Sequence, residues 1–437
     1  MKGKQVIPLS GKPGALLAVL LLVCLVAIPL LSGCAEEEKE ATPTPGGTPT
    51  AAATGTATAA AEVPGITDTE IVLGGQFILG GAFGAAFRMI PDATQTYFKY
   101  VNDTQGGVCG RKIVYKMEDN ENDAAKGLEA ARKLVERDQV FALVGSLGDD
   151  SEAASWEYIN EKGVPDILIS SGVHRFGTDP QGHPWTVPLI PSYTVEGTFD
   201  GQYISQNLPG KKVAVLYENG PQGWDELAGL KKGLDPDKNE LVSEESFELT
   251  AISVRSQVAN MKKAGGEVAV FFTGPGQIAQ AIGEADRLGW HPDLFLSYTA
   301  GDDILFQFIS PELLEGAITF QAFKLAKMQE DPAVAKHWEL MNDYGGPAPS
   351  NFTIYGQLVG ELAVDILSRT CDNLTREGLM DTLESTKDWH SDLLLDDVNV
   401  TFSDTDHIGL QSGRMLRITV ENGKGKFDYF GPLFVFD

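Results

Sequence analysis

The chain has 437 residues, room for two or three domains, and its 43 % hydrophobic and 22 % charged content excludes fibrous, disordered and polytopic membrane classes. Sixty-one acidic against 34 basic side chains leave a formal charge of −27, which repels a phosphate backbone and argues against nucleic acid as a partner. Four cysteines, Cys24, Cys34, Cys109 and Cys371, are too few for a disulfide scaffold and lack the C-x-x-C spacing of a structural zinc site.

Lys2, Lys4 and Lys12 precede an apolar run from Ala15 to Leu31, which ends in Leu31-Ser32-Gly33-Cys34. A basic n-region, an apolar h-region and small residues at the end make a signal peptide over 1–33. The final tetrad resembles the lipobox of bacterial lipoproteins, which implies cleavage before Cys34, acylation of that cysteine, and a chain anchored outside the cytoplasm. An uncleaved membrane anchor is the alternative, at the short limit for spanning a bilayer. Residues 34–64 are rich in Glu, Thr, Ala, Pro and Gly without one aromatic, the composition of a disordered tether. Removal of Cys24 and lipidation of Cys34 would leave Cys109 and Cys371 either as one disulfide or as two independently buried thiols.

From Ile66 onward, apolar β-branched runs alternate with segments of helical spacing, which predicts parallel sheets covered by helices. Expected strands are Glu70–Phe77, Lys112–Met117, Val140–Val144 and Asp166–Ser170. Between them a helix is expected over Asp123–Arg137, with Ala125, Leu128, Ala131, Leu134 and Val135 on one face and Asp123 as N-cap. Pro91 belongs in the first turn of a helix ending near Val101. The pattern restarts with strands Lys212–Tyr217, Leu241–Phe247, Val268–Phe272 and Asp293–Ser297, separated by helices near 224–234, 253–264 and 277–288. After Ala317–Phe320 come helices near 333–344 and 353–370, then a β-rich tail, Arg414–Val420 and Lys426–Phe436. Two α/β blocks of this kind predict two doubly wound lobes with a ligand cleft beyond the carboxyl ends of their strands.

Catalytic motifs are scarce. There is no H-E-x-x-H, no G-x-x-x-x-G-K-[ST] and no G-x-S-x-G, and in Gly145-Ser146-Leu147-Gly148 the serine follows the glycine directly. Gly80-Gly81-Ala82-Phe83-Gly84 reads as a turn, and the histidines at 174, 183, 291, 337, 390 and 407 include no i, i+4 pair, so no metal site and no cofactor are expected. The acidic stretch Glu118–Asp123 lacks the glycine and closing glutamate of an EF-hand loop.

Several segments in order resemble the extracellular solute-binding proteins of ABC transporters, in the branched-chain amino acid (Leu/Ile/Val-binding) family of type I periplasmic binding proteins. They include Tyr97–Asn102 followed by Gly106–Ile113, Phe141–Gly148, Gly163-Val164-Pro165, His183–Thr186, Pro191–Gly197 and Val213–Tyr217, and the resemblance runs from about residue 67 to 437. It implies lobe one over 65–189 plus 319–399, lobe two over 190–318 plus 400–437, and crossovers near 188–191, 316–320 and 398–402. It also implies closure of the lobes on a ligand, with no covalent chemistry.

Residue by residue, the resemblance puts Phe83 against the ligand, Asp149 and Asp150 where many members have Ser or Thr, and Ser170, Ser171 and Gly172 in the loop that receives a ligand carboxylate. Tyr193, Gln222, Trp224, Thr273 and Tyr298 are the lobe-two candidates. Amino-acid-binding members place an acid on lobe two against the ligand ammonium, whereas the matching stretch here, Ser297–Gly301, has none before Asp302. Asp149 and Asp150 at a helix start repel a carboxylate. They read either as helix capping or as the receiver of an amine or amide, with Ser170 and Ser171 at the opposite end. The implied function is the monomeric substrate-binding component of an ABC importer, partnered by its permease, for a branched-chain amino acid or a related amide or carboxylate. A ligand-sensing receptor of the same fold feeding a membrane signalling protein is the alternative. An exported enzyme is a third class, disfavoured by the absence of a nucleophile–base pair.

Overall fold

The computed structural model describes residues 63–81 and 84–435. The expected leader, Cys34, most of the tether and Phe83 lie outside the described residues.

Two sheets organise the chain. The first contains β1 (Glu70–Phe77), β2 (Lys112–Asp119), β3 (Ala142–Val144), β4 (Asp166–Ile169) and β5 (Thr186–Pro188), parallel throughout in the order β2-β1-β3-β4-β5. β3 and β4 are buried along their whole length, as expected of short apolar runs with helices on both faces. The second sheet contains β6 (Val213–Glu218), β7 (Leu241–Phe247), β8 (Val268–Phe272), β9 (Asp293–Leu296), β10 (Ile318–Gln321), β11 (Ser412–Glu421) and β12 (Lys424–Val435), in the order β7-β6-β8-β9-β10-β11-β12. It is parallel up to β10, and the tail adds β11 and β12 antiparallel. Both orders reverse direction between their first and third strands in sequence, β1/β3 and β6/β8. Such switch points leave a crevice at the strands' carboxyl ends.

The helices follow from local signals. Asp123 caps the helix Ala124–Arg132 by accepting from the Ala125 and Lys126 N–H groups, and a π-helical turn, Lys133–Arg137, completes the expected segment. Pro91 falls in the first turn of Met89–Thr104. Gly356 lets the helix Asn351–Arg369 press onto that helix, where a Cβ would lie 2.2 Å from the Ile90 carbonyl oxygen. The Thr94 hydroxyl bonds the Gly356 carbonyl at 2.7 Å across the same contact. Cys109 and Cys371 form a disulfide, Cα–Cα 5.4 Å, tying the loop before β2 to the turn after Asn351–Arg369.

Two expected lobe boundaries sit elsewhere. β10 is hydrogen-bonded to β9 and β11, so the chain leaves the second sheet after Gln321 rather than within 316–320. Val400, Phe402 and Leu410 are buried in the first lobe's core, and Val400 bridges Trp389 and Leu410. The return to the second sheet therefore comes at Ser412, not at 398–402. The shift has a simple cause: a short apolar run is equally suited to either core, and only its strand partners decide which one buries it. No helix among the described residues is long and apolar enough to cross a membrane.

Candidate functional site

A cleft of about 950 Å³, counted to its open mouth, lies where the two crevices face each other. Most of the stretches that line it follow a strand or start a helix. Ile78 comes after β1, Leu147, Gly148 and Asp149 after β3, and Ser170 after β4; from the other side come Glu218 at the end of β6, Gly274 after β8, Tyr298 and Thr299 after β9, and Gln321 at the end of β10. Tyr193, Gln222 and Phe352 come from the first turns of helices, and Tyr355 from the second turn of the helix that Phe352 starts. Seven aromatic rings, those of Phe87, Tyr193, Tyr298, Phe320, Phe323, Phe352 and Tyr355, give the cleft much of its apolar surface.

Asp149 is the first residue of the helix Asp149–Lys162, which has Gly148 as N-cap and no side-chain cap, so the pair of acids does not cap in the usual way. The Asp149 carboxylate accepts from the Ser171 hydroxyl at 2.5 Å and from the Tyr193 hydroxyl at 3.3 Å. Burial pushes its carboxyl up to about 7, against those two hydrogen bonds, and the charges of Asp150 and Asp225 add to the rise. Across the cleft, burial pushes Glu218 well above the usual carboxylate range, helped by Asp149, Glu226 and Asp150. The lining residues include no Lys, Arg or His.

Behind the second-lobe wall, Glu196 and Glu226 are buried together with Asp200. Glu196 accepts from the Tyr298 backbone N–H at 2.6 Å, and Glu226 from the Ser297 hydroxyl at 2.7 Å. Burial raises all three carboxyls, with their mutual repulsion adding to it. The helices that carry them, Tyr193–Asn207 and Pro221–Gly233, touch through glycines; a Cβ on Gly197 would sit 2.0 Å from the Glu226 carbonyl oxygen.

Hydrogen bonds already link the lobes. The Tyr193 hydroxyl, on the second lobe's first helix, donates to Asp149 of the first lobe at 3.3 Å. Within the second lobe the Tyr298 hydroxyl donates to the Pro191 carbonyl at 2.8 Å, and its ring stacks on Tyr193 with centroids 5.7 Å apart. The His174 N–H donates to Asp225 at 2.7 Å, and the Phe352 N–H to Asp302 at 3.0 Å. Asp302, the first acid after the Ser297–Gly301 stretch, thus holds the start of Asn351–Arg369 instead of lining the cleft.

Of the residues singled out from sequence, Asp149, Ser170, Tyr193, Gln222 and Tyr298 line the cleft. Ser170 bonds the Tyr355 hydroxyl at 3.1 Å. Ser171 lies behind Asp149 and bonds it, so acid and hydroxyl share one end of the site rather than opposite ends. Asp150 is half-buried off the lining, its N–H donating to Asn122 Oδ1 at 3.1 Å. Gly172 is packed between the Tyr298 hydroxyl and the Pro191 carbonyl, and Thr273 is buried behind the surface. Trp224 is 54 % exposed, its indole N–H on Asn219, because it points from the outer face of its helix. Glu218 was missed, although an acid closing a central strand beside a switch point is a legible signal. Among the described residues no group of His, Cys, Asp and Glu is arranged to hold a metal.

Residues 70–425 match the family described as periplasmic binding protein. Leu/Ile/Val-binding protein homolog 1 of Brucella abortus is 27 % identical over 228 residues, 51 % of this chain and 55 % of that protein, so the chain spans about half the length of the curated relatives it matches. A branched chain amino acid ABC transporter structure from Thermus thermophilus with bound valine aligns at TM-score 0.74 and 19 % identity, covering 85 % of this chain and 97 % of that one. The fatty acid ABC transporter substrate-binding protein from Thermomonospora curvata aligns at TM-score 0.70 and 23 % identity, covering 84 % and 94 %. These structures share the two-lobed α/β fold, and with a family match across more than three quarters of its length, the chain belongs to the periplasmic binding protein family.

Proposed function

We propose that the chain is the extracytoplasmic substrate-binding component of an ABC importer, a monomer tethered through a lipid on Cys34 and delivering a small solute to the permease. The observation that carries the reading is the aromatic cleft walled by both lobes, with Asp149 and Ser170 on one side and Glu218, Gln222 and Tyr298 on the other. A solute touching both walls stabilises the closed arrangement over any open one, and a membrane partner can read that difference. The family's working place outside the cytoplasm and its binding role, with no bond made or broken, agree with this assignment.

Among the ligands the resemblance implies, a carboxylate without an ammonium is the least well accommodated. It would meet the Ser170 hydroxyl and helix starts but no cation. A thermal-shift screen of the full-length chain, stripped of carried-over ligand, against amino acids, amides, amines and aromatic acids tests the receptor reading. Binding to the folded state alone stabilises it by about 3 kcal/mol at a hundredfold excess over Kd. One class is expected to raise the melting temperature by several degrees, and no response from any class overturns the reading.

A further inference from the structure

The second-lobe wall contains an amide whose orientation is set from behind. Gln222, in the first turn of Pro221–Gly233, lines the cleft yet is only 6 % exposed. Its Nε2 donates to Glu226 Oε1 at 3.1 Å, and lies 3.2 Å from the Ser297 hydroxyl and 3.3 Å from the Thr299 hydroxyl, all acceptors inside the lobe. None of the described residues donates to its Oε1, which is the atom left for the cleft. Glu226, one turn further on, is fully buried, and its Oε1 accepts both from Gln222 Nε2 and from the Ser297 hydroxyl, which holds the amide with its nitrogen inward.

The acidic groups turned on a ligand are then Asp149 and Glu218, with this amide oxygen beside them. The other polar lining is neutral, the hydroxyls of Ser170, Thr299 and Tyr355 and the amides of Asn122 and Gln321, and among the described residues no cation lines the cleft. An ammonium carries three donors and no acceptor and suits two acids and an amide oxygen, whereas a carboxylate would find only neutral donors and would be repelled by both acids. Helix starts do favour anions, at about half an elementary charge each, but Asp149 already occupies the first turn of its own helix. The rings of Tyr193, Tyr298 and Phe320 add faces toward which a cation is drawn.

We propose that the ligand is a primary amine with an apolar or aromatic body and no carboxylate, its ammonium received by Asp149, Glu218 and Gln222 Oε1, and that Glu226 is the positioning residue that turns the Gln222 oxygen toward it. This rests on the receptor reading and narrows it to one ligand class.

Titration calorimetry on the ligand-stripped full-length chain compares 2-phenylethylamine with 3-phenylpropionate, probes of matched body and opposite charge. The amine is expected to bind at least about tenfold more tightly, the difference that one charged hydrogen bond supplies. Glu226→Gln provides an amide donor to Gln222 Oε1, lets Nε2 turn outward, and narrows the amine-to-carboxylate ratio by about tenfold. Gln222→Leu, which keeps the body of the side chain, weakens the amine without strengthening the carboxylate. A purely structural role for Glu226 would weaken both probes alike and leave the ratio unchanged, which overturns the positioning claim. Carboxylate binding as tight as amine binding in the unaltered chain overturns the ligand class. A response confined to amino acids or aromatic acids in the thermal screen removes this inference and leaves the receptor reading standing, whereas silence from every class removes the receptor reading itself.

Discussion

Replacing Asp149 by Asn keeps an acceptor for Ser171 and Tyr193 and removes only the charge, so it isolates the cost of holding a carboxylate in the cleft wall. Burial lifts this carboxyl from its ordinary 3.8 to about 7. At about 1.4 kcal/mol per tenfold, ionising it in the folded protein costs about 4 kcal/mol more than in the unfolded chain. The sign follows from proton counting. Between about pH 4 and pH 7 the folded state keeps a proton that the unfolded chain has released, so stability falls as pH rises through that window, and the full cost is present above it. The variant lacks this cost, which is already net of the Ser171 and Tyr193 hydrogen bonds to the charged form, and about half of it is kept as the expected gain because the wall relaxes around an ionised carboxylate. Asp149→Asn is therefore expected to be about 2 kcal/mol more stable than the unaltered chain at pH 8 and no more stable at pH 4. Asp166, Glu196, Asp200 and Glu226 titrate in both proteins and cancel in the difference, whereas Glu152 and Glu218, which the Asp149 charge raises, are relieved in the variant and add to its gain at pH 8. Urea unfolding of the ligand-free chains, followed by tryptophan fluorescence at both pH values, measures it. A stability difference that does not change with pH would refute the reasoning.

Asp302→Ala removes the carboxylate that accepts from the Phe352 N–H across the lobes and from the Ile304 N–H in its own turn. Loss of such a cap costs about 1 kcal/mol; the expected result is a larger radius of gyration by small-angle scattering and about fivefold weaker ligand binding. Reduction, or Cys109→Ser with Cys371→Ser, opens a cross-link spanning 262 residues. Stability is expected to fall by about 2–5 kcal/mol in denaturant titrations, with the cleft's ligand preference unchanged. Gly197→Ala puts a methyl 2.0 Å from the Glu226 carbonyl oxygen and forces two helices apart. A loss of about 1–3 kcal/mol, read as a lower melting temperature, is expected together with weaker ligand binding, since Gln222 rides on the displaced helix.

The local elements were legible because their signals are local. β1, β7 and β8 coincide with the apolar runs that announced them, and the Asp123 cap and the place of Pro91 followed from side-chain chemistry within one turn. β5 was not legible, since three residues carry too little pattern to separate a strand from a crossover. Likewise nothing in residues 400–410 says which of two apolar cores will bury them.

The site divides along the same line. Asp149, Ser170 and Tyr298 could be found by counting from strand ends, and the missing acid in Ser297–Gly301 was visible as an absence. Glu218 carries a signal at the end of its strand, but that it faces Asp149 across one cleft is decided only by the sheet order. Nor does the sequence tell Trp224 from Gln222, two residues apart on one helix, the former turned to solvent and the latter to the cleft. Charge, element order and the two-lobed plan are written in composition and periodicity, which act over a few residues. Which acids face one another, and which way an amide turns between them, depends on contacts between segments 70 or more residues apart, and only the packing of the lobes brings those together.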